Sequence, residues 1–173
     1  MKRILASGLM VFFVLGALLS PVWAKKSEDA AIHKQIQSLL DSVAAMFDKK
    51  DLEGLVRTVV PGATLRYANG KEQTIEEWKS QVSKEFAGIA TMKSKFKVER
   101  VVSAGDTCVA TYREVHNYVL TAEKGHKYRN VSRWSVTMVK TPQGWKATHF
   151  VEFFEKVTRD GKPVKAPKTP RQL

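Results

Sequence analysis

Two histidines and two tyrosines in this chain have the residue types and spacing that acid–base chemistry needs. His116 lies in the alternating run Thr107–Thr121, and His149 lies four residues after Trp145 in a second such run. An imidazole takes and returns a proton near neutral pH. Tyr67 and Tyr112 carry phenols that could donate one. Either histidine as base with either tyrosine as donor would make a minimal proton-transfer pair. Trp134 shares the expected face of Tyr112 and would add an aromatic wall. Core packing accounts for Trp134, Trp145 and His149 just as directly. Solvent contact beside Glu114 accounts for His116.

Other chemistries lack their residues. The four histidines do not have the spacing of a zinc site. The single cysteine, Cys108, excludes an internal disulfide and a paired-cysteine metal or redox centre, and reads as a small buried residue. No G-x-S-x-G elbow and no glycine-rich phosphate loop occurs. No cofactor and no metal is expected, and no residue is assigned as catalytic.

The elements that must position these side chains are legible. Ile32, Ile36, Leu39, Leu40, Val43 and Phe47 recur at three- and four-residue spacing, which predicts a helix over 28–49. Glu28 and Asp29 would occupy its first turn. Asp51 is the expected N-cap of a short helix carrying Leu52, Leu55, Val56 and Val59, stopped by Pro61-Gly62. Ala63–Ala68 reads as a short strand closed by Asn69-Gly70. Thr74-Ile75-Glu76-Glu77 is a capping box opening a helix to about Ile89. The period then changes to two. Phe96–Val102, Thr107–Thr121, Tyr128–Thr141 and Trp145–Val157 read as strands on short connections, which pair antiparallel. Parity places Cys108, Ala110, Tyr112, Glu114 and His116 on one face, and Trp134, Val136 and Met138 on one face. Trp145, Ala147, His149, Val151 and Phe153 share another. The Tyr112 and Trp134 faces are taken as concave.

The 173 residues hold 29 Lys and Arg against 17 Asp and Glu, with 43% apolar and 27% charged residues. That suits one packed domain and excludes a multidomain chain or a collagen-like chain. Lys2-Arg3, the apolar run Ile4–Leu19 and Ser20-Pro-Val-Trp-Ala24 form the pattern of a secretory signal peptide cut after Ala24. As a helix that run rises roughly 24 Å, short of the ~30 Å hydrocarbon core. The expected product is exported, periplasmic or secreted, with no transmembrane segment after cleavage. Residues 25–157 form the domain. Residues 158–173, rich in proline and basic groups, form a disordered tail. A strongly basic exported chain is expected to meet an anionic envelope surface through that tail, and no nucleic acid.

Three segments resemble the nuclear-transport-factor-two-like superfamily, the cystatin-like α+β cone that includes SnoaL-like and ketosteroid-isomerase-like proteins. They are Asp48-Lys-Lys-Asp51-Leu-Glu-Gly-Leu, Pro61-Gly-Ala-Thr-Leu-Arg-Tyr-Ala-Asn-Gly70 and the run from Trp134 to His149. The resemblance covers about residues 28–157. It implies helices packed on the concave face of a strongly curved antiparallel sheet, with a pocket in the cone and dimerisation through the sheet. It also puts Tyr67 where ketosteroid isomerases carry a carboxylate base, and a neutral phenol is a poor base. The Asp-Arg-Asp set of related epoxide hydrolases is missing. The expectation is therefore an exported, non-catalytic binding domain that holds a small apolar or amphipathic ligand, or a protein partner. Tyr67, Tyr112, His116, Trp134 and His149 would line its pocket. The alternatives are an isomerase, dehydratase or cyclase using a His/Tyr pair, and a dimeric envelope-interaction module.

Overall fold

A computed structural model describes residues 21–123 and 125–164, with side chains from Asp29 onward. The first twenty residues of the expected leader and residues 165–173 of the expected tail lie outside them. The element order is α1 (Pro21–Lys49), α2 (Leu52–Arg57), β1 (Val59–Arg66), β2 (Glu72–Thr74), α3 (Ile75–Gly88), β3 (Ile89–Ala104), β4 (Thr107–Leu120), β5 (Tyr128–Thr141), β6 (Gly144–Arg159) and β7 (Lys162–Val164). A single 3-10 turn, Thr121–Glu123, follows β4.

The strands form one open sheet in the order β2-β1-β6-β5-β4-β3, with β7 on the far part of β6. α1 and α2 precede it, α3 stands between β2 and β3, and the helices cover one face, as the α+β cone requires. One pairing departs from the expected antiparallel sheet: β1 runs parallel to β6, so the sheet is mixed. β2, α3 and the strands β3–β5 lie between β1 and β6 in the chain, and so long a connection permits the parallel sense.

The helices start and stop for local reasons. Asp51 accepts from Gly54 N at 2.8 Å and caps α2. Thr74 Oγ1 accepts from Glu77 N at 3.2 Å, and Glu77 Oε2 accepts from Thr74 N at 2.9 Å, which closes the capping box of α3. Ile32, Ile36, Leu40 and Ala44 bury one stripe of α1 in the core. Leu39, Val43 and Phe47 pack beside them.

Four boundaries differ from the sequence reading. α1 begins at Pro21, so Asp29 lies well inside the helix, and its carboxylate instead takes Ser103 N at 3.0 Å and Ser103 Oγ at 2.5 Å. α2 ends at Arg57, and Val59 opens β1. Pro61-Gly62 sits in a register shift of β1, with Gly62 at φ 77°, where a proline costs no ladder bond. β3 starts at Ile89, because Ser94, Phe96 and Val98 are buried while Lys93, Lys95 and Lys97 alternate outward. The tail boundary at 158 also moves. β6 continues to Arg159, and Asp160-Gly161, both at positive φ, turn the chain into β7.

Candidate functional site

The inner face of the sheet and the helices enclose a cavity of about 160 Å³. Leu39, Val43 and Phe47 of α1 face it, as do Trp78, Val82 and Phe86 of α3. The sheet supplies Phe96, Tyr112, Trp134, Val136, Met138 and Phe150. The faces of Tyr112 and Trp134 are the concave ones, as parity indicated.

A chain of polar contacts crosses three neighbouring strands on this inner face. Ser94 Oγ lies 2.9 Å from His116 Nδ1. His116 Nε2 lies 3.7 Å from Glu114 Oε1, an ion-pair distance once the ring is protonated and long for a hydrogen bond. Ser132 Oγ donates to Glu114 Oε1 at 2.6 Å and accepts from Trp134 Nε1 at 3.1 Å. The rings of Phe47 and Phe96 stand 4.9 and 5.6 Å from the His116 ring. Both imidazole nitrogens are thus turned to protein groups, and aromatic faces hold the ring.

Burial pushes the Glu114 carboxyl up. The close imidazole of His116 and its charge, with the hydrogen bond from Ser132 and the Trp134 N–H nearby, outweigh it and hold the group below the ordinary carboxylate value. Tyr112 goes the other way. Burial, then the charges of Glu114 and Glu152, push its phenol well above the ordinary value, so it stays neutral and can donate. Deeper along the same face, Asn130 Nδ2 donates to Glu155 Oε1 at 2.9 Å.

Of the five expected pocket residues, Tyr67, Tyr112, His116 and Trp134 line the cavity. Tyr67 meets Trp134 edge to face at 5.8 Å. His149 does not join them. Ala147 pairs Met138 and His149 pairs Thr137, so one extra residue bulges out of β6 and reverses its parity. Phe150 then takes the inward position, and His149 Nδ1 lies 2.6 Å from Thr64 Oγ1 on the other face. A second register shift beside Trp134 reverses parity again and brings Glu155 and Val157 inward. The expected shared face of Trp145, Ala147, His149, Val151 and Phe153 therefore holds only as far as Ala147.

Sequence reading passed over Ser94, Asn130, Ser132 and Glu155. Asn130 and Ser132 have the parity of Trp134, and that alternation could have found them. Glu155 has the parity of Trp145, because the two register shifts between them cancel, so alternation along β6 could have found it too. Among the described residues no group of three His, Cys, Asp or Glu is placed to hold a metal ion.

The family model of the SnoaL-like domain matches residues 28–151. The chain belongs to that family. Solved structures agree on the fold of this SnoaL-like domain. A candidate scytalone dehydratase from Novosphingobium aromaticivorans is 13% identical at a TM-score of 0.67, covering 82% of this chain and 94% of its own. A type 2 hexachlorocyclohexane dehydrochlorinase is 11% identical at 0.62, covering 82% and 98%. A nuclear-transport-factor-two-like superfamily protein from Salmonella enterica is 16% identical at 0.57, covering 80% and 96%. No curated protein matches the chain. At these identities the likeness is one of fold, and the site has to argue for itself.

Proposed function

We propose that this SnoaL-like domain is a small-molecule binding protein whose site is the cavity between α1, α3 and the inner face of the sheet. The cavity itself carries the reading. Its walls are aromatic and aliphatic, and its polar groups converge along one side, the composition of ligand sites in general. Both nitrogens of His116 face protein groups, which favours binding over catalysis. The N-terminal sequence supports an exported site of action, and the basic residues beyond 164 support contact with an anionic envelope surface.

The test is native mass spectrometry of the protein purified from its own host. A small molecule that leaves on denaturation, and is missing from the cavity-filling variant Val136→Phe, supports the reading. A clean protein mass, with no binding from a panel of small apolar compounds, contradicts it.

One observation favours a second reading. Glu114 stands beside His116 inside the cavity, and two of the similar structures are named for elimination chemistry: the candidate dehydratase and the dehydrochlorinase. In that reading His116 takes a proton from a carbon of the bound ligand, Glu114 stabilises the imidazolium, and Tyr112 or Tyr67 donates to the departing or developing oxygen. Deuterium uptake from heavy water into a bound carbonyl compound, lost in His116→Ala, would separate an enzyme from a binding domain.

A further inference from the structure

The charges around the cavity run opposite to those of the chain. Lys and Arg outnumber Asp and Glu 29 to 17 in the sequence, yet among the described residues neither lysine nor arginine lines this cavity. The charged groups that line it are Glu85, Glu114 and Glu155, with His116 as the single titratable base. The cations are outside. Lys97, Arg113 and Arg133 stand in one cross-strand row on the outer face. Like charges side by side on a sheet oppose folding. On that outer face Glu99 relieves the row by pairing with Arg133 at 3.2 Å, and among the described residues no such cation stands on the inner face.

Asn130 gives the second, independent observation. Its residue is 8% exposed and lines the cavity. Its Nδ2 donates to the Glu155 carboxylate, which accepts only, so the orientation of the amide is fixed. Oδ1 is then the opposite atom, and it has no hydrogen-bond partner among the described residues. A buried acceptor without a donor costs stability unless something supplies one. The Asn130 acceptor asks for a donor, and the carboxylates around it, already held by Gln81, Ser132, His116 and Asn130, favour a donor that carries positive charge. The faces of Phe47, Phe96 and Trp134 also attract a cation.

We infer that the ligand of this cavity is an apolar amine, its hydrocarbon part among the aromatic walls and its nitrogen donating toward Asn130 Oδ1 and the glutamates. The inference rests on the binding role proposed above and narrows it to one class. The cavity volume is close to that of an engineered cavity of ~150 Å³ that holds benzene, so the amine is of one-ring size.

The experiment compares three probes of one shape by calorimetric titration at neutral pH: phenethylamine, phenethyl alcohol and phenylacetate. The amine binds about tenfold or more tighter than either of the others, a difference of one cation–π contact plus a charge-assisted hydrogen bond. Glu155→Gln and Glu114→Gln, each isosteric, reduce that preference several-fold. Circular dichroism identifies any variant that has lost its fold, and the other variant then carries the comparison. If phenylacetate or the alcohol binds as tightly as the amine, the amine inference is overturned and the cavity reading stands. If the amine preference survives both substitutions, the assignment to these carboxylates is overturned. If none of the three binds, the cavity reading falls and takes the inference with it.

Discussion

Ser132 donates its hydroxyl hydrogen to Glu114 at 2.6 Å, straight across the β4–β5 ladder, while its oxygen accepts from Trp134. One hydroxyl therefore fixes a carboxylate and an indole at the same time. Ser132 is 1% exposed, so neither bond is exchanged for water. The contact makes Glu114 a fixed, ionised wall of the cavity rather than a swinging side chain, and His116 is set against it.

The lowered Glu114 pKa predicts a pH dependence of stability. Its folded value lies below its unfolded one, so the stabilisation is present above the ordinary carboxylate range and is lost as pH falls through the lowered value. Between about pH 5 and about pH 3 the wild-type melting temperature should fall more steeply than that of Glu114→Gln. Parallel slopes in scanning calorimetry would show that Glu114 is not held in this way.

Cys108 is 2% exposed, and burial, then the charge of Asp29, push its thiol up to about 11. The reactive form is the thiolate. An aromatic disulfide reagent at about pH 8 should leave the native thiol unmodified and react at once in denaturant. Rapid native reaction would place the thiol at the surface.

The two histidines of the strands should separate by function. His149→Ala removes the bond to Thr64 and should cost about 1 kcal/mol of stability, with ligand affinity unchanged. His116→Ala opens the cavity beside Phe47 and Phe96 and should weaken ligand binding markedly. Equal effects on binding would contradict the parity reversal in β6.

The capping box of α3 is a local device with a local cost. Thr74→Ala removes the acceptor for Glu77 N and should destabilise the protein by about 1 kcal/mol, a fall of roughly 2–4 °C in melting temperature. No change would mean that tertiary packing alone sets the start of α3.

The expected homodimer through the sheet has a specific surface to test. Phe153 and Phe154 are 52% and 42% exposed, and Phe154 pairs with Arg133 in the row that includes Arg113 and Lys97. We expect sedimentation to show a dimer that tightens with added salt, as the cations of the two copies are screened. Phe153→Ser with Phe154→Ser should give a monomer. A monomer at every salt concentration would end the expectation.

Much of this molecule could be read from local sequence because the signals are local. The caps at Asp51 and Thr74 and the stripes of α1 and α3 need only neighbouring residues, and they stand where expected. The strand pattern from Phe96 to Val157 gives the meander and the inner faces of β4 and β5. What failed depended on the whole sheet. A bulge shifts the ladder by one residue and leaves no clear mark in the sequence, so alternation carried on from Trp145 puts His149 inside, where Phe150 stands. The parallel partner of β1 is a choice between distant strands. The Asp160-Gly161 hairpin is different: its turn signal was present, and the prolines and basic residues around it masked the signal.

The central claim is that the ligand sits against the inner face of the sheet, and Met138 reports on that place. It is 3% exposed and lines the cavity floor on β5. Methionine-methyl NMR during titration with phenethylamine, or with the molecule retained from the host, would observe it directly. A shift of the Met138 methyl that saturates with binding is the predicted result. Binding that leaves the Met138 methyl unmoved would contradict the account.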